Sequence, residues 1–405
     1  MIGFVVNQFP RQVDAYFLRE LSGLRELGVD YRIYSLLPPP RGWKVHAEAA
    51  ALLPLTIYPP STLRAWRRAL GLALCHPLVL VSCLAGLIRG HIAAPSALVR
   101  TLAIVPQALA FAVDMRDRGI HHVHASWATY PASAAWLIAR LGGRSFSFTG
   151  HATDIFVHTS MLPEKIASAR RIITCTAYNC RYLQDIAPAH RDRVVTVHHG
   201  VDLARFEASG VARDPALVLS VGTLRQCKGM DDLIRAIAIL VAHGRDVRLE
   251  IIGEGEERPA LERLIAELDL GGRVRLTGYL PQEEVIPAYQ RAAIVALPAH
   301  LEDHFGIPNV LIESLAAGTP VVATELPSLG ELLEDERSGL FVPERAPERL
   351  ASVIERLLAD PAWAASLAAE GRRRVETHFD ARHTVRALAE NLRAAELDGK
   401  AAQNA

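Results

Sequence analysis

The chain has 405 residues, with 44 lysines and arginines against 44 aspartates and glutamates, so its formal net charge is zero. This balance argues against a nucleic-acid partner, and the five scattered cysteines without CxxC spacing argue against a disulfide framework or a structural zinc site. The length exceeds one ordinary core, so we expect two domains of about 200 residues each.

The first half of the chain alternates strand and helix patterns, which is typical of parallel sheets connected by helices. The opening MIGFVVNQFP lacks a basic region and has only a short apolar run, so we interpret it as a first strand rather than a signal peptide. Together with the cysteine usage, this predicts a cytoplasmic protein. Strands are predicted at 2–6, 32–36, 122–125, 145–149, 172–175 and 194–197, and helices at 131–141 and 177–186.

An apolar region interrupts this alternation. Residues 69–88 are nearly uncharged and long enough to cross a bilayer, although His76-Pro77 interrupts them. A second apolar run follows at 93–113. Three interpretations stay open: buried or groove-lining helices, a monotopic helix that dips into an anionic leaflet, and a true membrane span. The monotopic interpretation predicts peripheral membrane contact through 64–113, and it rests on the cluster Arg64, Trp66, Arg67 and Arg68.

Histidines in the first half raise two questions. His151 follows the predicted strand 145–149 and precedes Asp154, so it could orient a substrate hydroxyl with Asp154 setting its tautomer, or be structural. His122 and His124 lie on one face of their strand, but no aspartate or cysteine lies nearby to complete a metal site, and metal ligation is disfavoured.

The alternation pauses at 198–215, a turn-rich segment that we interpret as the interdomain connection. A second series then begins. Strands are predicted at 217–221, 248–252, 273–277, 293–297, 320–323 and 339–342, and helices at 231–243, 258–268, 283–291 and 347–358. The two halves are therefore expected to be two doubly wound α/β domains facing each other across a cleft, with ligands beyond the carboxyl ends of the strands.

The loop after the second domain's first strand, SVGTLRQCKGMDDL, has a phosphate-binding layout. Gly222 lets the chain turn, Arg225 and Lys228 supply cations, and Gly229 precedes a helix. The alternative is a solvated turn with two surface cations. The other glycine-rich segment, with Gly253 and Gly255, carries three glutamates that would repel a pyrophosphate, so we interpret it as a strand-to-helix turn.

The segment FGIPNVLIESLAAGTPVV, residues 305–322, reads as a loop, a helix and a strand. Pro308 suits the first helical turn, and Gly318 stands where a helix end favours positive φ. A helix N-terminus is a natural anion site, because its first N–H groups lack partners. Glu313 lies mid-helix among apolar neighbours, where it could accept hydrogen bonds from sugar hydroxyls or be satisfied by nearby backbone. Phosphate beside a diol-binding carboxylate indicates a nucleotide-sugar site.

Taken in order, these segments resemble a retaining glycosyltransferase of family 4, most closely the colanic-acid and exopolysaccharide subgroup. The resemblance rests on NQFPRQVDAYFLREL, HVHASWATYPASAAWLIARLGGRSFSFTGHATDIF, RIITCTAYNCRYL, VHHGVDLARF and the Lys228-Gly229 loop. It implies the GT-B fold, with two Rossmann-like domains at 1–199 for the acceptor and 200–375 for the nucleotide sugar. A C-terminal helix and disordered tail follow at 376–405.

The resemblance also lends roles to single residues. Lys228 with Arg225 would hold the donor's diphosphate, Glu313 the ribose, and His151 the transferred sugar. No metal or other cofactor is expected, because fixed cations and dipoles would stabilise the leaving diphosphate. The donor-binding set implied is Gly222, Thr223, Gly278, Tyr279, Leu280, Gly306, Ile307, Pro308, Asn309, Val310 and Glu313.

The implied reaction transfers a hexose, with retention, from a UDP- or GDP-sugar to a saccharide acceptor that we expect to be lipid-linked. It would serve bacterial surface polysaccharide or exopolysaccharide synthesis at the inner face of the plasma membrane. Two departures leave alternatives open: Phe305 and Thr223 stand where the family has a glutamate and a phosphate-binding arginine. The alternatives are a catalytically impaired GT-B protein that binds nucleotide or glycan, and a nucleotide-sugar epimerase.

Overall fold

The computed structural model describes residues 1–10, 15–39, 47–207, 210–303 and 306–404, and the chain divides into two compact units. Unit 1 comprises Met1–His198 and Arg382–Ala405, and unit 2 comprises His199–Ala381. The sequence instead predicted residues 376–405 as a separate helix with a disordered tail. In the structure this helix belongs to unit 1, and its backbone is helical to Asn404.

Unit 1 contains a seven-stranded parallel sheet in the order β3-β2-β1-β4-β5-β6-β7. Its central strands are buried on both faces, which explains why they read as continuous apolar runs. All six predicted strands are present, and the short β3 was missed. The strands are β1 (Ile2–Gln8), β2 (Tyr31–Leu37), β3 (Thr56–Ile57), β4 (His122–Ala125), β5 (Ser145–Gly150), β6 (Arg171–Thr174) and β7 (Val194–Thr196).

Helices cover the sheet of unit 1. The two predicted helices are confirmed as α7, which ends at Gly143 with a φ of 60°, and α10, which is capped by the Thr176 hydroxyl. The helices of this part are α1 (Ala15–Glu26), α2 (Ala47–Leu52), α3 (Leu63–Cys75), α4 (Pro77–Gly90), α5 (Pro95–Ala103), α6 (Val105–Asp117), α7 (Tyr130–Gly142), α8 (Thr153–Phe156), α9 (Leu162–Ser168) and α10 (Ala177–Ile186).

The apolar region between β3 and β4 folds as four helices. Helices α3 and α4 meet at His76 with a bend of 94°, so the run 69–88 is not one straight helix. The segment Pro95–Asp117 is long and apolar enough to cross a membrane, as judged by length and composition alone. Of its apolar 18-residue stretch, 44% is buried inside the protein. Its second half, α6, contributes Phe111 and Met115 to the core of unit 1.

Unit 2 contains a six-stranded parallel sheet in the order β10-β9-β8-β11-β12-β13. Every predicted strand and helix of this half is present, with boundaries that differ by at most three residues. The strands are β8 (Asp214–Val221), β9 (Arg248–Ile252), β10 (Val274–Gly278), β11 (Ala292–Leu297), β12 (Val321–Thr324) and β13 (Leu340–Val342). The helices are α11 (Met230–Ala242), α12 (Arg258–Glu267), α13 (Gln282–Arg291), α14 (Asn309–Ala316), α15 (Pro347–Ala359) and α16 (Pro361–His378).

The last helix, α17 (Ala381–Asn404), completes the core of unit 1. It packs its apolar side chains against β1, α1 and β2, in a cluster with Leu21, Leu24 and Ile33. The residues that α17 contributes are Val385, Leu388, Ala389 and Leu392.

Candidate functional site

The parallel sheet of unit 2 brings the loops that follow β8, β9, β10 and β11 to one edge, since parallel strands all end on the same side. These loops contain the predicted diphosphate loop, the glycine turn, the Gly278-Tyr279-Leu280 segment and the entry to α14. The donor-binding residues predicted in the second half, apart from Glu313 inside α14, therefore share the carboxyl edge of the sheet.

The loop after β8 carries the predicted cations. Lys228 ends a short 3-10 helix, Gln226–Lys228, and is half-buried, and this burial lowers the pKa of its ammonium group. Arg225 is 56% exposed and lies 3.9 Å from Glu256, a distance and exposure at which an ion pair contributes little. Gly222 is half-buried and Thr223 is exposed. The loop therefore partly buries Lys228 and leaves Arg225 at the surface.

The Gly253-Glu254-Gly255 turn supports this loop. It is the strand-to-helix turn that the sequence predicted, between β9 and α12. A Cβ on Gly253 would lie 1.8 Å from the Gly222 carbonyl oxygen, and one on Gly255 would lie 2.2 Å from that of Leu224. The Leu224 N–H donates to the Glu254 carbonyl at 2.9 Å. These glycines are therefore required for the close backbone contact that shapes the diphosphate loop.

A second support, which the sequence did not indicate, comes from His300. Its backbone N–H donates to the Cys227 carbonyl at 2.9 Å, and its ring Nε2 lies 3.0 Å from the Asp232 carboxylate. Gly229 adopts a φ of 63° beneath it, where a Cβ would lie 1.9 Å from the Pro298 carbonyl oxygen. His300 lies about 70 residues beyond this loop in the chain, so no local pattern pointed to it.

His300 and Asp232 also form a group with Asp231, whose ligand atoms all lie within 4.8 Å of one another and could hold a metal ion. The sequence predicted no metal site. The contact between His300 and Asp232, at 3.0 Å, also links the loop after β11 to the start of α11.

The entry to α14 is half-buried from Gly306 to Val310. Pro308 occupies the N-cap position, one residue before the first helical turn where the sequence placed it, and Gly318 has the predicted positive φ, 72°. Phe305, where the family has a glutamate, lies outside the described residues. Because α14 follows β11, its N-terminus lies at the carboxyl edge of the sheet, and no side chain among the described residues caps it.

Glu313 lies one turn inside α14 and is half-buried. Its carboxylate accepts hydrogen bonds from two side chains of α13: the Tyr289 hydroxyl at 3.1 Å and the Gln282 amide at 3.2 Å. The sequence left open that nearby backbone alone satisfies Glu313. In the structure, two side chains hydrogen-bond its carboxylate and orient it. Tyr289 is fully buried. Its burial, and to a smaller extent the charge of Glu313, raise its pKa well above the ordinary value, so its hydroxyl keeps its proton and donates.

The Gly278-Tyr279-Leu280 segment leaves β10 at the same edge. Gly278 is buried with a φ of 84°, and its carbonyl accepts the Gly253 N–H at 2.9 Å. Tyr279 is 54% exposed, and Leu280 packs partly against the core of unit 2. An exposed aromatic ring beside an apolar side chain is a surface on which a nucleotide base can stack.

In unit 1, His151 follows β5 as predicted. Its ring lies between those of Tyr16 and Trp127, with centroids 5.5 Å away in each case, and it is 14% exposed. Its Nδ1 lies 3.7 Å from the Asp154 carboxylate, and its backbone N–H donates to Asp154 at 2.9 Å. The structure therefore brings His151 and Asp154 together, as the sequence predicted.

Asp154 and Lys165 together fix the loop after β4. Asp154 accepts the N–H of Ala128 at 2.9 Å, while the buried Lys165 ammonium donates to the Ala128 carbonyl at 2.7 Å and the Ser160 carbonyl at 2.9 Å. Burial alone would raise the pKa of Asp154, but its hydrogen bonds with His151 and the backbone outweigh burial and lower it. Burial lowers the pKa of Lys165 to about 7.

His122 and His124 are buried and bonded to hydroxyls of β5, the neighbouring strand. The ring nitrogens of His122 contact Ser145 and Ser147 at 2.7 Å, and those of His124 contact Ser147 at 2.8 Å and Thr149 at 3.1 Å. Burial lowers the pKa of His122 to about 4, and burial also lowers the pKa of His124 well below its ordinary value. These histidines have a structural role as neutral hydrogen-bonding groups.

Residues 203–374 match the family model described as glycosyl transferases group 1. A D-inositol 3-phosphate glycosyltransferase of Frankia alni is 38% identical over 224 residues, which cover 51% of this chain and 54% of that protein. The amylovoran biosynthesis glycosyltransferase AmsK of Erwinia amylovora is 33% identical over 206 residues, 50% of this chain and 51% of that protein. The chain thus spans about half the length of the curated relatives it matches.

Solved structures resemble the chain over nearly its full length. Anabaena Alr3699/HepE in complex with UDP has a TM-score of 0.71 at 16% identity and covers 97% of this chain and 99% of its own. Sucrose-phosphate synthase from Thermosynechococcus elongatus has a TM-score of 0.71 at 20% identity and covers 97% of this chain and 98% of its own. With two parallel-sheet α/β units, the chain has the GT-B fold.

Proposed function

We propose that this protein, whose residues 203–374 match the glycosyl transferases group 1, is a hexosyltransferase that uses a UDP- or GDP-sugar and acts with retention. The observation that carries the proposal is the arrangement at the carboxyl edge of unit 2. There, the half-buried Lys228 and the start of α14 provide positive charge and backbone N–H groups, and one turn further into α14 Glu313 provides an oriented carboxylate.

Each part matches one portion of a nucleoside diphosphate sugar. Lys228 and the α14 N-terminus suit the diphosphate, because a helix N-terminus and a cation both stabilise phosphate charge. Glu313 suits the ribose hydroxyls, and Tyr279 with Leu280 suits the base. We propose that these fixed groups stabilise the leaving diphosphate without a metal ion.

We assign His151 the contact with the transferred sugar. Its ring is held by two aromatic neighbours and by the Asp154 pairing, so it can present one nitrogen in a fixed direction. In the proposed reaction, the acceptor hydroxyl attacks the anomeric carbon on the face from which the diphosphate leaves. The C–O bond to the diphosphate breaks, and the acceptor's proton passes to the departing phosphate oxygen.

We propose that the acceptor, a saccharide or lipid-linked saccharide, binds unit 1. This unit contains a cavity of about 720 Å³ whose lining mixes apolar and polar groups. Among them are Ala97, Tyr130, His158 and Tyr182. The AmsK relative is named for amylovoran biosynthesis, which favours a role in bacterial surface or exopolysaccharide synthesis. We propose that the reaction takes place in the cytoplasm, at the inner membrane face.

Two alternatives remain because Phe305 and Thr223 replace family residues. A GT-B protein that binds nucleotide or glycan without catalysis would bind the donor and never consume it. A nucleotide-sugar epimerase would convert the donor without an acceptor. Product analysis with donor alone, and then with donor and acceptor, separates the three.

The first experiment is thermal stability against UDP, GDP, ADP and NAD. A ligand at about a hundred times its Kd stabilises by roughly 2.7 kcal/mol, which gives a clear rise in melting temperature. We expect a rise with UDP or GDP alone, and its loss in Glu313→Ala but not in the control Glu267→Ala, an exposed glutamate at the end of α12. A chain that responds to no nucleotide, or Glu313→Ala that responds like the parent chain, would contradict the proposal.

A further inference from the structure

One segment of unit 1 has an unusual charge composition. Between Glu48 and Asp114 there is no acidic residue, and the only formal positive charges are five arginines: Arg64, Arg67, Arg68, Arg89 and Arg100. The whole chain is neutral, so the remainder carries the balancing excess of negative charge. Of these arginines, Arg68 pairs with Asp117 at 2.7 Å. No carboxylate among the described residues forms an ion pair with the other four, and all four are exposed.

The same segment is the most apolar part of the described surface. Nine of the sixteen large hydrophobic residues that are exposed lie within the 41 residues of α3, α4, α5 and their connections. These residues are Leu63, Leu70, Leu74, Leu78, Val81, Ile88, Ile92, Val99 and Leu102. A concentration of exposed apolar side chains on one part of a protein marks an interaction surface.

The exposed residues follow the helical period. On α3, Leu63, Arg67, Leu70 and Leu74 are spaced four, three and four residues apart, which places them on one stripe. The opposite face of α3 is buried through Ala69, Leu72 and Ala73. Because the opposite face of α3 packs on unit 1, the stripe with Leu63, Leu70 and Leu74 faces away from the core.

Helix α4 is arranged in the same way. It buries Cys83 and Leu87 and exposes Leu78, Val81 and Ile88, with Arg89 beside them. The 94° bend between α3 and α4 places Leu74 and Leu78 on either side of His76, and these side chains are 71% and 84% exposed. Exposed leucines therefore stand on both sides of the bend, while the buried faces of both helices pack on unit 1.

We propose that α3, α4 and α5 form a docking surface for a bilayer that contains anionic phospholipids. In this arrangement Leu74 and Leu78 enter the boundary between headgroups and acyl chains, and Arg64, Arg67, Arg89 and Arg100 bind the headgroups. The argument for a bilayer is charge complementarity: cations without acids attract an anionic surface, and exposed leucines gain from burial in lipid. This surface lies outside the donor site, so the proposal goes beyond the transfer reaction. It borders the cavity of unit 1, which Arg100 also lines, and its binding to vesicles is measured without donor or acceptor.

The test is flotation of the full-length protein with vesicles of phosphatidylcholine, with and without 30% phosphatidylglycerol. We expect binding to the anionic vesicles only, weakened at high salt because surface charges are screened. Each arginine near an anionic surface contributes about 1 kcal/mol, or about fivefold, so Arg64→Gln with Arg67→Gln should weaken binding about 25-fold. The variant Leu74→Ser with Leu78→Ser should abolish it.

Matched controls separate this surface from unspecific adsorption. Leu397→Ser removes a leucine of α17 that is 64% exposed, and Arg191→Gln removes an exposed arginine that follows α10; both should bind vesicles as the parent chain does. A melting temperature equal to that of the parent chain shows that each variant is folded.

Three results would overturn the proposal: no binding to anionic vesicles, equal binding by the Leu74/Leu78 variant, or a stable dimer that this variant dissolves. The dimer, measured by light scattering, would assign the surface to a second copy of the chain.

Discussion

Replacing Tyr289 by phenylalanine tests whether Glu313 is held in place as a ligand for the donor. The Tyr289 hydroxyl is buried and donates to Glu313 at 3.1 Å, while Gln282 supplies the other side-chain hydrogen bond. A hydrogen bond to a carboxylate contributes about 1.5–3 kcal/mol to stability. For a unit of this size, each kcal/mol corresponds to about 2–4 °C, so the melting temperature should fall by roughly 3–12 °C.

The second expected effect is on ligand affinity. With one of its two side-chain partners lost, the Glu313 carboxylate is less well oriented toward the ribose. We expect the Kd for UDP or GDP, whichever binds the parent chain, to rise about tenfold, equivalent to about 1.4 kcal/mol. Isothermal titration calorimetry at a temperature well below both transitions measures this change.

Tyr31→Phe is the matched control. Tyr31 is equally buried in unit 1, and its hydroxyl donates to the Leu21 carbonyl at 2.7 Å. This variant should lower the melting temperature and leave nucleotide affinity unchanged. If Tyr289→Phe lowers the melting temperature yet binds nucleotide with the parent Kd, then Glu313 does not contact the donor and the reasoning is refuted.

The remaining predictions concern charge, metal and acceptor. Lys228→Ala should reduce transfer by about 10²–10³ through lost stabilisation of the diphosphate, while Arg225→Ala, at the exposed position, should reduce it much less; equal losses would contradict the assignment. The pKa of Lys165 is about 7 in the folded chain, against an ordinary value of 10.5. Between these two pH values the unfolded chain binds more protons than the folded chain. The free energy of unfolding should therefore rise with pH in this range, by up to about 1.4 kcal/mol per pH unit. Lys165→Met should flatten that rise in denaturant unfolding, and an unchanged slope would refute the assignment. Treatment with EDTA should leave transfer intact; activity lost with EDTA and restored by a divalent ion would instead implicate Asp231, Asp232 and His300. Ala97→Trp should fill part of the cavity of unit 1 and raise the KM for acceptor without changing the Kd for nucleotide.

The sequence predicted the regular elements of unit 2 well, because each buried strand is a short apolar run bounded by turns. The strand Arg248–Ile252 and the positive φ at Gly318 are as predicted. Such signals are local, since they depend on residues within a few positions of one another.

The apolar helices were harder to predict. The interruption at His76-Pro77 was visible, but proline at the first position of a helix fits a new helix as well as it fits a kink. The 94° bend is set by which faces of α3 and α4 pack on the rest of unit 1, and uniform apolar sequence does not encode that choice.

In the candidate site, too, residues within a local pattern were predicted, and residues with partners far away in the chain were not. Lys228 and Glu313 were selected from local pattern, and their roles remain predictions. Tyr289, Gln282 and His300 were missed, because each reaches its partner across 24 to 68 residues of chain. The hydroxyl partners of His122 and His124 were likewise hidden, since the register of β4 against β5 is a tertiary property.

The return of α17 to unit 1 has a consequence for dissecting the protein. A chain cut after residue 198 would lack Val385, Leu388 and Leu392, and it would expose the apolar faces of α1 and β1 that they cover. Residues 199–381, by contrast, form a continuous stretch that contains the complete donor edge. Fragment studies of nucleotide binding should therefore express residues 199–381 alone. A fragment of unit 1 should carry residues 382–404 joined to residue 198 by a linker, so that α17 covers the apolar faces of α1 and β1.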